Sequence, residues 1–292
     1  MQTQYFKRPQ GALAYSDYGG SGELVLMLPG MGALRSEYRC LASRLSQAGY
    51  HAITVDLRGH GESSVSWPAY DVPSVGGDIL AMIEHLNVGP VHLICTSNAA
   101  GSGVWAAAEQ PDYLHSLILI GAFARQVNIN PIMNALFWIM MHNLWRVQAW
   151  ITYYGTIYPT HKPADFKEYL SHLKANLKQP GRFDAANDYG DASLQPAEER
   201  LERVKAPTLV VMGTKDPDFP DPVAEGQFIA AKTGGRLELI KGAGHYPQTE
   251  MPEKTIPLVM DFLKTSDSLV SSRTERLMVP GTSSFGWRQS RR

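Results

Sequence analysis

Three polar residues, Ser97, Asp216 and His245, each follow an apolar run of strand length. Ser97 lies in VHLICTSNAAGSGVW, residues 91–105, where a buried-strand pattern gives way to small residues. A strand turning sharply into a helix lifts one side chain above the C-terminal edge of an open α/β sheet, where ligands bind. Such a turn is crowded, so the residues two before and two after the lifted one must be small. The usual pattern is G-x-S-x-G; here it reads Cys95-Thr96-Ser97-Asn98-Ala99, with Cys and Ala in place of the glycines. A serine hydroxyl needs a base to become a nucleophile, and the base needs an orienting carboxylate. Asp216 comes just after TLVVMG, and His245 just after LELIKGAG. Ser, then Asp, then His is the chain order such a sheet requires. The chemistry would be acyl transfer through a covalent acyl-enzyme.

Other residues compete for these roles. Asp218, two residues past Asp216, could orient the histidine instead, although Asp216 has the better register to the strand end. His60 in RGHGES reads as architectural, and the Cys95 thiol should point away from the side to which Ser97 points. No His, Cys and carboxylate spacing suggests a metal site. Gly30-Met31-Gly32 lacks the third glycine and the later acid of a dinucleotide fingerprint, so no cofactor is expected.

These residues must be held by a suitable scaffold. The chain has 292 residues, 44% of them hydrophobic, and a net charge of −1, which argues against a nucleic-acid partner. Two cysteines are too few for a disulfide framework and fit a reducing compartment, so a cytoplasmic location is expected. The most apolar stretch, PIMNALFWIMMHNLW, is broken by Asn134, His142 and Asn143 and falls short of a membrane span. Short apolar runs (GELVLMLPG, HAITVDLRG, VHLICTS, LHSLILIGA, APTLVVMG, RLELIKGAG) alternate with helical patterns. That alternation predicts a mostly parallel sheet with helices on both faces. Between about residues 129 and 192 only helical signals and loops occur. The organisation expected is therefore α/β core (1–128), helical cap (129–192), α/β core (193–265) and a Ser-, Thr- and Arg-rich tail (266–292) without fixed structure.

Taken together, these segments resemble the α/β-hydrolase fold family over roughly residues 5–265. LPGMG resembles the family's oxyanion loop and DLRGHGES the loop after its fourth strand. CTSNA stands at the nucleophile elbow, and GTKDPDFP and GAGHYPQTEMPE resemble the acid and histidine loops. The resemblance implies an eight-stranded type of sheet with the cap inserted after the sixth strand. It also implies a second oxyanion donor at the Met31 N–H, beside the Asn98 N–H that the helix start supplies.

The function expected is a serine hydrolase cleaving a small, fairly apolar carboxylic ester or lactone. The alternative is a carbon–carbon bond hydrolase or a ligand-sensing receptor on the same fold, a choice kept open by the atypical elbow. Aromatic and methionine residues of the insert (Met133, Phe137, Trp138, Met140, Met141, Trp145, Trp150, Tyr153, Tyr154, Tyr158) mostly pack the cap, and a few are expected to line an apolar pocket above Ser97. The partner implied is a small-molecule substrate, with neither nucleic acid nor membrane; a homodimer is left open.

Overall fold

The computed structural model describes residues 2–126, 131–142 and 144–278. Its centre is an eight-stranded sheet. The strands are β1 (Gln4–Arg8), β2 (Gly11–Asp17), β3 (Leu24–Leu28), β4 (His51–Val55), β5 (Val91–Thr96), β6 (Leu114–Ile120), β7 (Thr208–Gly213) and β8 (Arg236–Ile240). Their spatial order is β1-β2-β4-β3-β5-β6-β7-β8. Strands β3 to β8 pair in parallel, and β1 and β2 add an antiparallel edge. The β1–β2 hairpin was not legible as strands, because β1 is largely exposed and carries no apolar run.

Core helices are α1 (Arg39–Gln47), α2 (Val72–Leu86), α3 (Ala99–Glu109), α9 (Pro222–Thr233) and α11 (Pro252–Met278). Side chains of one strand alternate between the two faces of the sheet. In β3, Leu24, Leu26 and Leu28 join one core with α2 and α3, whereas Val25 and Met27 join the other with α1 and α11. Covering both faces is why the inner strands read as unbroken apolar runs. Each large apolar side chain so buried contributes about 1.5–3 kcal/mol. Acidic caps set two helix starts: Asp71 accepts from Ser74 N ahead of α2, and Asp221 accepts from Ala224 N ahead of α9. A short 3-10 turn, Arg35–Tyr38, precedes α1.

The insertion after β6 contains α4 (Pro131–His142), α5 (Arg146–Tyr154), α6 (Phe166–Leu177) and α7 (Arg182–Gly190). A short helix, α8 (Gln195–Glu198), leads back towards β7, and another, α10 (Pro247–Glu250), follows the histidine loop. The final helix continues to Met278, past the point where loss of structure was expected, and residues 279–292 of that tail lie outside the described residues. Part of the expected cap start, 129–130, is likewise outside them. Among the described residues, no helix is long and apolar enough to cross a membrane.

Candidate active site

Ser97 follows β5 directly and adopts φ +60°, a left-handed conformation rare for a residue with a side chain. Surrounding bonds hold it there. Ser97 N–H donates to Ile120 O at 3.0 Å, and Ser97 O accepts from Ala100 N at 2.9 Å and Phe123 N at 3.2 Å. Strain over-determined in this way is characteristic of a functional turn. The small residues of the elbow do the work expected of them. Ala99 is fully buried, and Cys95 lies where α3 comes so close that a Cβ on Gly103 would sit 2.8 Å from its Sγ. The Cys95 thiol therefore packs against α3, away from the Ser97 side chain, and burial pushes its pKa up.

The histidine and the aspartate meet. His245 and Asp216 are both buried, and His245 Nδ1 lies 2.7 Å from Asp216 Oδ2. The other ring nitrogen, Nε2, is buried and has no hydrogen-bond partner among the described residues. Burial alone would lower the His245 pKa, but the Asp216 carboxylate, followed by Asp218, outweighs it and raises the value to about 9. Among the described residues the Ser97 hydroxyl donates to Asn98 Oδ1 at 3.4 Å and makes no hydrogen bond to His245. Asp218 also lies near His245, with its Oδ2 at 3.4 Å from Nδ1. The donor atoms of Asp216, Asp218 and His245 lie within 4.8 Å of one another, a grouping that could hold a cation; Nδ1 of the histidine, however, is engaged by Asp216.

The loop after β3 reaches the serine at Gly30. A Cβ there would sit 2.5 Å from Ser97 Cβ, 3.0 Å from Ser97 Oγ and 3.0 Å from the Tyr246 hydroxyl oxygen. Only glycine permits this approach. The backbone amides of Met31 and Asn98 donate to no other group among the described residues. The Met31 side chain packs on Gly190 of α7, and Asn98 O accepts from the Tyr189 hydroxyl at 3.0 Å, so the cap braces both positions.

Two buried carboxylates that the sequence did not flag organise the surroundings. Glu37 is fully buried beneath the cap, where its Oε2 accepts from Tyr154 OH at 2.9 Å and its Oε1 from Tyr158 OH at 2.7 Å. Glu250 ties the histidine loop to the cap, accepting from Gly244 N, Thr160 N and His161 N. A single acid whose partners lie far away in sequence leaves no pattern, so neither role was readable. His60 has the architectural place expected: it is buried, its Nδ1 lies 2.9 Å from Arg58 O, and its carbonyl accepts from Arg182 of the cap. Of the insert's large residues, Met141, Trp150, Tyr154 and Tyr158 are buried, whereas Trp138 and Trp145 are exposed. The side chains of Met133, Phe137 and Met140 lie outside the described residues. The tyrosine hydroxyls make the cap's underside more polar than the composition of the insert suggested.

Comparison with known proteins agrees with this architecture. Residues 25–258 match the alpha/beta hydrolase family. A 3-oxoadipate enol-lactonase of Acinetobacter baylyi is 28% identical over 213 residues, covering 70% of this chain and 75% of that protein. A 2-hydroxy-6-oxononadienedioate/2-hydroxy-6-oxononatrienedioate hydrolase of Klebsiella pneumoniae is 24% identical, covering 85% and 89%. The crystal structure of an enol-lactonase from Burkholderia xenovorans superposes with a TM-score of 0.74 at 22% identity, covering 89% of this chain and all of that one. Sheet order, cap insertion and sequence match agree that this chain belongs to the alpha/beta hydrolase family.

Proposed function

We propose that the protein is a serine hydrolase cleaving a small, fairly apolar carboxylic ester or lactone, with Ser97 as nucleophile, His245 as base and Asp216 as the orienting acid. The observation that carries this reading is the buried 2.7 Å contact of His245 Nδ1 with Asp216, with Nε2 unpartnered among the described residues, in the same molecule that strains Ser97 to φ +60°. Asp216 fixes the tautomer with the proton on Nδ1, so Nε2 is the lone pair available to a hydroxyl. Ser97 Oγ attacks the carbonyl carbon as its proton passes to Nε2. The negative charge moves to the former carbonyl oxygen, towards the N–H groups of Met31 and Asn98. Losing one such donor costs about 2.7–4 kcal/mol. The imidazolium then gives its proton to the leaving alcohol oxygen. Water repeats the sequence on the acyl-enzyme, releasing the acid and restoring Ser97.

A lactone is an internal ester, so the enol-lactonase relative supports this class of bond. Carbon–carbon bond cleavage by the same groups is the second reading, and the Klebsiella relative supports it. A series of p-nitrophenyl esters of increasing acyl length separates the two. The proposal expects turnover that peaks at a short to medium chain. Absence of turnover across the series, in a folded protein that cleaves a vinylogous diketone, would replace the ester reading with the other.

A further inference from the structure

The loop after β7 carries two carboxylates, and both address one imidazole. Asp218 N–H donates to Asp216 Oδ1 at 3.0 Å, so the turn Asp216-Pro217-Asp218 aims both acids at His245 Nδ1, at 2.7 Å from Asp216 and 3.4 Å from Asp218. The remaining Asp218 oxygen is held from above by the hydroxyl of Tyr153, which donates to Oδ1. Tyr153 belongs to α5 of the cap, whose other contacts seat it on the oxyanion loop: Trp150 Nε1–H donates to Gly32 O at 3.0 Å. One cap helix thus grips both the loop that faces the carbonyl oxygen and the acid beside the base.

We propose that Asp218 is a positioning residue for His245, a second carboxylate clamped by Tyr153 of the cap, so that the seating of the cap and the protonation of the catalytic base are linked. The inference rests on the assignment of His245 as the base. The groups facing the ring are Asp216 and Asp218 from the β7 loop, Glu37 at longer range from the 3-10 turn, the neighbouring Tyr246, and the apolar rings of Phe123 and Phe219. Asp218 is half-buried, and both burial and Asp216 push its pKa up. The His245 imidazolium and the Tyr153 hydroxyl both favour its ionised form. While ionised, Asp218 attracts the imidazolium and retards loss of its proton. Without the Tyr153 donor, Asp218 loses one of the groups that favour its charged form, and that attraction weakens.

The test is the pH dependence of kcat/KM for a chromogenic ester in the wild type, Asp218→Asn, Tyr153→Phe and the double variant, with Asp218→Ser as a second substitution should the amide fail to fold. Removing an opposite charge at this range should move the ascending limb to lower pH by about one unit or more, whatever the plateau rate. Tyr153→Phe should move it in the same direction, and should add nothing once Asp218 is Asn. A limb unmoved in folded Asp218→Asn overturns the proposal. A limb unmoved in Tyr153→Phe, or moved further in the double variant, overturns the link to the cap. Failure of the parent assignment looks different: His245→Ala would then keep the ester activity at every pH.

Discussion

At the residue scale, the site depends on what is done to a single imidazole. His245 is buried against two carboxylates, and their attraction exceeds the burial penalty, giving a pKa of about 9. A general base must be neutral to act, so kcat/KM should climb with pH towards a plateau reached above about 9. A rate profile flat between pH 6 and 10 would contradict this. The residues proposed for the chemistry were legible as candidates because Ser97, Asp216 and His245 each follow a strand in the chain order such a sheet requires. Cys95 and Ala99 obscured the elbow pattern, yet the structure shows why they serve: the space is set by the approach of α3 at Gly103, and both side chains are small enough to fit. The pairing of Asp218 with Tyr153 was not readable, because Tyr153 lies in the cap and Asp218 after β7, 65 residues apart, and they meet only in three dimensions.

At the scale of elements, loops from the core and helices of the cap hold one another in place. Gly30→Ala tests the oxyanion loop. Its methyl would overlap Ser97 Cβ, so the loop must withdraw, and activity should fall about 10²–10³-fold if a donor is displaced. Unaltered kcat in this variant would remove the loop from the account. Tyr158→Phe tests the seat of the cap. It strips one of two tyrosine hydroxyls from buried Glu37, and loss of a hydrogen bond to a charged group costs about 1.5–3 kcal/mol. Urea unfolding should show that loss, and an unchanged midpoint would mean that Glu37 finds another donor. The strands β3 to β8 and the amphipathic helices were legible from apolar runs and spacing. The β1–β2 hairpin was not, since an exposed edge strand needs no apolar pattern.

At the scale of the molecule, titration of the site is coupled to folding. His245 has its ordinary value near 6.5 in the unfolded chain and about 9 in the folded one. A raised value stabilises the fold fully below 6.5, and the contribution disappears as pH rises through 9. The thermal midpoint should accordingly fall between pH 6.5 and 9, and fall less in Asp216→Asn, which removes the largest of the attractions. An identical slope in both proteins would assign the pH dependence to other groups. The presence of a helical insertion was legible because alternation of strand and helix stops after β6. The sequence did not tell how far α11 extends, since its last turns lie in a polar stretch that resembles a tail. The central claim, that Ser97 is a nucleophile activated by His245, is tested most directly with a serine-directed fluorophosphonate and mass spectrometry of the labelled protein. The account predicts one adduct per chain, on the peptide carrying Ser97, abolished in Ser97→Ala, retained in Cys95→Ala and strongly slowed in His245→Ala. A folded wild-type protein that takes no label, or takes it at another residue, would contradict it.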